Sequence, residues 1–192
     1  MTQNAALVLA ALVLSACALF PQEQRVPVDL APRPEAAAPP PPIDEQLIEL
    51  QARLFAQINN ARQQAGVQAD ILVLDPELVA AAQAHSEVMA RRRAFDTGGA
   101  NTNLAIQTLL ANPNFHGYVG ENAALQYFIP SVGIDPDAFA RGFVDLWMKS
   151  PSHMKNLTFP DFDRAGIGVA VNGNAIYAAG LLATDFGVSL PQ

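Results

Sequence analysis

The chain has 192 residues, which suits one globular domain with some additional sequence attached. It carries 11 basic and 18 acidic side chains, and the resulting net charge of −7 excludes the basic signature of a nucleic-acid-binding protein. Apolar residues make up 51% of the chain and charged residues only 15%, a composition that excludes a chain that is disordered as a whole.

The N-terminal residues predict a secretion signal and not part of the fold. Positions 5–14 are ten consecutive apolar residues, too few to span a bilayer but typical of the core of a signal peptide. The next residues, Leu14-Ser15-Ala16-Cys17, resemble the lipobox of bacterial lipoproteins, and Cys17 is the only cysteine of the chain. We therefore predict that residues 1–16 are removed and that a lipid on Cys17 attaches the protein to a membrane. The alternative is an ordinary signal peptide with a chance cysteine.

A proline-rich segment follows. Residues 21–42 contain eight of the fifteen prolines and no glycine, which favours an extended polyproline II conformation over helix or sheet. We predict that residues 17–42 form the lipidated cysteine and a semi-rigid linker, and that one domain covers residues 43–192; a disordered tail is the alternative for the linker. In lipoproteins of diderm bacteria, a residue such as Ala18 after the cysteine implies the outer membrane.

The first half of the domain has two strong helical patterns. Apolar residues at three- and four-residue steps predict a helix from about Ile43, with Asp44 as its cap and Gly66 at its end. A short extended run covers 71–74. Asp75 followed by proline then predicts a second helix to about Arg92, with an inward face formed by Leu78, Ala82, His85 and Met89.

The second half alternates strands and helices. A loop over 94–103 and a weaker helix over 104–111 precede a predicted strand, Tyr118–Tyr127. Asp135-Pro136 predicts a third helix that ends before Pro151, with a buried face of Phe139, Phe143, Leu146 and Trp147. Two final strands over 166–171 and 175–186 flank a hairpin signal at Asn172-Gly173. Helices around a few strands predict an α+β fold, not a doubly wound parallel sheet.

The order of several short segments along the chain is specific enough to indicate a family. Four short segments occur in a characteristic order and spacing along the chain. They are His85-Ser86, Gly120-Glu121-Asn122, Ser150-Pro151-Ser152-His153 and, near the end, Ala165-Gly166-Ile167-Gly168. Together these segments resemble the bacterial branch of the CAP superfamily, which contains cysteine-rich secretory proteins, antigen five and plant pathogenesis-related proteins. The resemblance covers about residues 45–187. It implies a three-layer α-β-α sandwich with a small antiparallel sheet between helices.

The resemblance also implies a cleft lined by two histidines and two acidic residues, which binds a divalent metal in some members. Glu121 matches one acid and His153 matches one histidine, whereas Asp96 stands where the other histidine is expected. The second acid is absent, and Ser150 occupies its place. A site with a single histidine nitrogen as its strong donor binds a divalent metal weakly, so we predict no metal and no other cofactor.

Three further residues are assigned around this cleft. Asn122 is a possible additional cleft residue beside Glu121. His116 is either an exposed loop residue or a substitute for the missing histidine. His85 lies on the apolar stripe of the second helix and is interpreted as a hydrogen-bonded core histidine rather than a ligand.

Two functions are compatible with these residues. The first is a lipid-anchored protein of the bacterial cell envelope whose domain binds a lipid, a wall component or a protein without catalysis. The alternative is a hydrolase that uses Glu121 and His153, with or without a metal, on an envelope peptide or ester. We favour binding because no motif marks a Ser, Cys or Thr nucleophile. Catalysis requires Glu121, His153 and Asp96 to converge within hydrogen-bond reach.

Overall fold

The computed structural model describes residues 41–67, 71–94, 106–107, 109, 111–112 and 115–185. Four helices and four strands lie completely within these ranges. The helices are α1 (Ile43–Gln64), α2 (Pro76–Arg92), α3 (Pro136–Lys149) and α4 (Pro151–Leu157), and the strands are β1 (Val73–Leu74), β2 (Gly117–Tyr127), β3 (Arg164–Asn172) and β4 (Ala175–Asp185). In the predicted helix over 104–111, residues 106, 107 and 109 are helical, and 104, 105, 108 and 110 lie outside the described residues.

The predicted starts of α2 and α3 are confirmed. The Asp75 carboxylate accepts hydrogen bonds from the N–H groups of Glu77 (2.9 Å) and Leu78 (3.1 Å), and proline occupies the first helical position. At α3 the Asp135 carboxylate accepts one from Ala138 N–H at 3.1 Å. Both helices are thus positioned by local signals that satisfy their first free N–H groups.

The cap predicted for α1 is wrong, although its end is correct. Pro42 occupies the N-cap position, and Asp44 lies inside the first turn, where its charge still favours the helix dipole. The helix stops where the chain reaches Gly66, whose φ of +77° is a left-handed conformation that glycine adopts at little cost.

Helix α4 is an element that the sequence pattern did not predict. The third helix does end at Lys149, as expected before proline. Pro151 then occupies the first helical position of a new helix, where its missing N–H costs nothing. The new helix carries His153 and Asn156 against the sheet.

The sheet has the strand order β1-β3-β4-β2. The three long strands pair antiparallel, as predicted, and β3 and β4 form a hairpin at Gly173, whose φ is +63°. The two-residue strand β1 pairs parallel to β3, so the sheet is mixed rather than purely antiparallel.

Helices cover both faces of this sheet. On one face α2 packs over strand residues that include Ala123, Tyr177 and Leu181, and on the other face α1, α3 and α4 enclose Ala124, Ile167 and Ile176. This is the predicted three-layer α-β-α arrangement, with Trp147 fully buried in the second of the two cores. Among the described helices, none is both long enough and apolar enough to cross a bilayer.

Candidate functional site

Strand β2 positions the candidate residues, and its alternation decides which of them can meet. Successive side chains of a strand point to opposite faces of the sheet. Ala123 lies in the core beneath α2, and Ala124 lies in the core beneath α1, α3 and α4. Glu121 shares the face of Ala123, and Asn122 shares the face of Ala124.

Glu121 meets His85 of α2. The Glu121 Oε1 atom lies 3.7 Å from His85 Nε2, and the two side chains are 8% and 1% exposed. This separation is longer than a hydrogen bond, and an ion pair forms only when the imidazole is protonated. The prediction that His85 is a core residue agrees with its burial, but its position against Glu121 was not predicted.

His153 lies on the opposite side of the sheet. The neighbouring Asn122 is fully buried, and its Nδ2 donates to the His153 carbonyl oxygen at 2.9 Å. Asn156 of α4 donates to Asn122 Oδ1 (3.0 Å) and to the Glu121 carbonyl oxygen (2.9 Å). Asn122, expected as an additional cleft residue, therefore fixes α4 to β2.

Among the described contacts, none joins Glu121 to His153: Glu121 lies against His85 on the face that α2 covers, whereas the His153 carbonyl is bonded to Asn122 of the opposite face. The expectation that the two side chains face one another across one pocket stays a prediction, and this alternation does not favour it. Asp96 lies outside the described residues. His116 is half-buried just before β2. Among the described residues, no three His, Cys, Asp or Glu side chains are grouped as metal ligands. The residues that can be placed do not fit a two-histidine metal site.

His153 contributes to a shallow pocket of about 290 Å³ at the outer edge of β2, called the β2-edge pocket below. It is lined by Ala123, Ala124, Leu125, Leu146, Trp147, Ser150 and His153. Leu146 was predicted to be buried, but it is 46% exposed at the rim. Two other surface pockets lie between α1 and α3 and beside the start of α2, and none of the described residues that line them is a candidate residue.

The polar groups of the β2-edge pocket favour binding of an uncharged group. Burial lowers the pKa of His153, because desolvation disfavours the imidazolium, so the neutral ring predominates at pH 7. Trp147 is fully buried, and its Nε1–H has no hydrogen-bond partner among the described residues. The Ser150 hydroxyl lies 3.2 Å from that of Ser152. The pocket thus combines apolar walls with a few hydrogen-bonding groups.

The alternation of side chains along a predicted strand was enough to assign Glu121 to the face of β2 that α2 covers. Glu121 has the strand parity of Val119, Ala123 and Leu125, which all face the core beneath α2. His85 lies on the inward stripe of that same helix. The strand over 118–127 and the inward position of His85 were both predicted from the sequence, but the alternation along the strand was not used to place Glu121.

Comparisons with known proteins agree with the architecture. The family model described as CAP, the cysteine-rich secretory protein family, matches residues 55–184. A search of curated proteins finds no match.

The solved structures that are similar to the chain include the following two. An outer surface protein of Borrelia burgdorferi has a TM-score of 0.55 and 20% identity, covering 71% of this chain and 93% of that one. An extracellular protein containing an SCP domain from Bacillus anthracis str. Ames has a TM-score of 0.51 and 22% identity, covering 74% of this chain and 44% of that one. At these identities the two structures support the fold alone.

Proposed function

Because the chain belongs to the CAP family of cysteine-rich secretory proteins, we propose that it is a lipid-anchored, non-enzymatic protein of the bacterial cell envelope. Its single CAP domain binds a ligand non-covalently in the β2-edge pocket.

The observation that supports this proposal is that Glu121 contacts His85, while no contact among the described residues joins Glu121 to His153. A general acid and base must both reach the reacting group within hydrogen-bond distance. Glu121 lies against His85 beneath α2, and His153 lines the pocket at the outer edge of β2. The hydrolase alternative depended on the two acting together, and the geometry gives it no support.

Among the described residues that line the pocket, none is an activated nucleophile. Ser150 is the one hydroxyl-bearing residue of that described lining, and its hydrogen-bonding neighbour is Ser152. Within the described residues, no hydrogen bond links either serine to the His153 imidazole. Nucleophilic catalysis by serine requires such a base. Neutral His153 is instead suited to orienting an uncharged polar group of a ligand whose remainder is apolar.

The proposed location depends on the N-terminal sequence. The apolar run at 5–14, the lipobox-like residues ending at Cys17 and the proline-rich linker support export and lipid attachment. Ala18 supports the outer membrane over the inner one. The outer surface and extracellular proteins of similar fold are compatible with this location.

Native mass spectrometry of the full chain purified from its own membrane tests ligand binding. We expect a retained ligand mass on the wild type and on Met154→Trp, which enlarges an exposed residue of α4 outside the pocket. His153→Trp fills the pocket and should lose that mass while keeping the same circular dichroism spectrum. Retention of the ligand by His153→Trp, or no ligand on the wild type, would contradict the proposal.

A further inference from the structure

The two edges of the sheet are covered to different extents. Along β3, several of the backbone groups that point away from β4 are satisfied by other parts of the chain. The Gln83 side chain donates to the Val169 carbonyl (3.0 Å) and accepts from the Val169 N–H (3.1 Å), and Gln51 donates to the Ile167 carbonyl at 2.7 Å. The Asp75 N–H donates to the Ala165 carbonyl at 2.9 Å. These contacts block the β3 edge against another strand.

Two hydrogen bonds define which residues of β2 point outward. The Phe128 N–H donates to the Asn174 carbonyl at 3.0 Å, towards the β4 side. The Glu121 carbonyl accepts from Asn156 at 2.9 Å, on the opposite side. Since residues of an antiparallel strand alternate between the two sides, Ala123 and Leu125 direct their N–H and C=O groups to the open edge.

These outward groups of Ala123 and Leu125 have no hydrogen-bond partner among the described residues. They also line the β2-edge pocket, together with the side chains of Leu146, Trp147 and His153. A strand placed there would complete the backbone hydrogen bonds at one edge. Every second side chain of that strand would lie on the face of Ala124 and enter the apolar pocket.

We propose that the β2-edge pocket binds an extended peptide, which adds as a further strand to β2 at Ala123 and Leu125. This inference rests on the proposed function and names the chemical class of its ligand. Only an extended main chain presents alternating donors and acceptors at the spacing of β2. Because Asn156 already occupies the Glu121 carbonyl, the addition begins at Ala123. The bound segment has an apolar residue over Ala124 and no proline where its N–H must face β2.

Three acetylated and amidated pentapeptides of sequence Ser-Val-X-Val-Ser, with X as Ala, Leu or Phe, are suitable probes. They are titrated by NMR into the full chain carrying Cys17→Ala, which removes the predicted lipid. We expect shifts and slower hydrogen exchange at the amides of Ala123 and Leu125. N-methylation of alternate peptide residues gives two isomers, of which only one loses the N–H groups that face β2. Their affinities should differ by about tenfold or more, since at least one hydrogen bond is lost.

A pair of proline variants provides the matched control in the protein. Leu125→Pro and Tyr127→Pro each remove one outward N–H of β2 without removing a bond to β4, but Tyr127 lies outside the pocket. Leu125→Pro should weaken peptide binding about tenfold, whereas Tyr127→Pro should leave it unchanged.

The outcomes separate this inference from the proposed function. Equal affinities of the two N-methyl isomers, with shifts confined to the pocket, would overturn strand addition while leaving ligand binding in the pocket intact. No shift at Ala123 or Leu125 with any of the three peptides would also overturn it. If the amides of Ala123 and Leu125 shift without peptide when the protein dimerises, the β2 edge binds a second copy of the chain. That result would overturn the proposal that a peptide occupies the edge.

Discussion

At the scale of single residues, the main polar anchor of the domain is Arg62, which is only 3% exposed. Its guanidinium donates to the carbonyl oxygens of Leu157 (2.8 Å), Phe159 (3.0 Å) and Phe162 (3.0 Å). These carbonyls follow the end of α4, where a positive charge also favours the helix dipole. Burial lowers the pKa of Arg62, because desolvation disfavours the charged form, but an arginine side chain remains protonated in proteins. Arg62 thus connects α1 to the segment that carries His153.

Arg62→Met should destabilise the domain by about 3 kcal/mol or more, because three carbonyl groups lose a charged donor in a buried site. Urea titration of the variant and the wild type measures this change. Arg53→Met is the control on the same helix: Arg53 forms an exposed ion pair with Glu49, and its removal should have little effect. An Arg62→Met midpoint equal to that of Arg53→Met would contradict the anchoring role.

His153 should make the stability of the domain depend on pH. Its pKa is lowered in the folded state by burial, so below pH 6.5 the unfolded chain binds a proton more readily. Stability should therefore fall as the pH decreases through 6.5 and continue to fall until the folded pKa is passed. Urea midpoints between pH 7.5 and 5.5 should fall less for His153→Gln than for the wild type. An NMR titration that gives His153 a pKa at or above 6.5 would contradict this.

The sequence predicted some of these residues and not others, for a physical reason. The capping roles of Asp75 and Asp135 depend on neighbours within three residues, so local sequence was sufficient. Arg62 was not identified from the sequence, although it follows Leu50, Leu54 and Ile58 at four-residue steps on the buried face of α1. Its acceptors lie 95 to 100 residues away and become neighbours only in the folded domain.

At the scale of elements, α2 packs directly on the backbone of β3. A Cβ atom added to Gly166 would lie 2.0 Å from the Leu78 carbonyl carbon, and one added to Gly168 would lie 2.2 Å from that of Ala82. These contacts are with backbone atoms, so they cannot be relieved by rotating a side chain. The two glycines therefore fix the depth at which α2, and with it His85, lies over the sheet.

Gly168→Ala should destabilise the domain by at least about 1–3 kcal/mol, the usual cost of overpacking a core. Gly180→Ala is the matched control on β4, because its added Cβ would meet Trp147 at an ordinary 3.4 Å. Thermal melts of the two variants against the wild type make the comparison. A Gly168→Ala melting temperature as high as that of Gly180→Ala would show that α2 can shift away without cost.

The prediction from sequence missed helix α4 because a proline can either end a helix or begin one. Pro151 was taken to end the third helix, which it does, but proline is also favoured at the first position of a helix. The same residue therefore closes α3 and opens α4. Strand β1 has only two residues, too few for a periodic pattern to indicate that it pairs parallel to β3.

At the scale of the whole molecule, the resemblance gave the layers correctly but not the sides on which the candidate residues lie. A family pattern places Gly-Glu-Asn and Ser-Pro-Ser-His near each other along one strand and helix. It does not state that consecutive residues of the strand contact opposite layers. Sheet geometry places Glu121 against His85, which weakens the hydrolase alternative and leaves the binding interpretation that the sequence already favoured.

The membrane attachment of the whole protein remains a prediction, and Cys17→Ala tests it. A lipobox cysteine becomes the acylated N-terminus, and its acyl chains hold a protein at a bilayer without a membrane-spanning helix. The wild type should sediment with membranes and resist a high-salt wash. Cys17→Ala should move to the soluble fraction or retain an uncleaved signal, while its domain melts at the same temperature, because residue 17 lies outside the described domain. Ala18→Ser, which keeps the cysteine, is the control and should stay in the membrane fraction. Processed Cys17→Ala that still sediments with membranes at the wild-type size would show that another contact, not a lipid, holds the protein there.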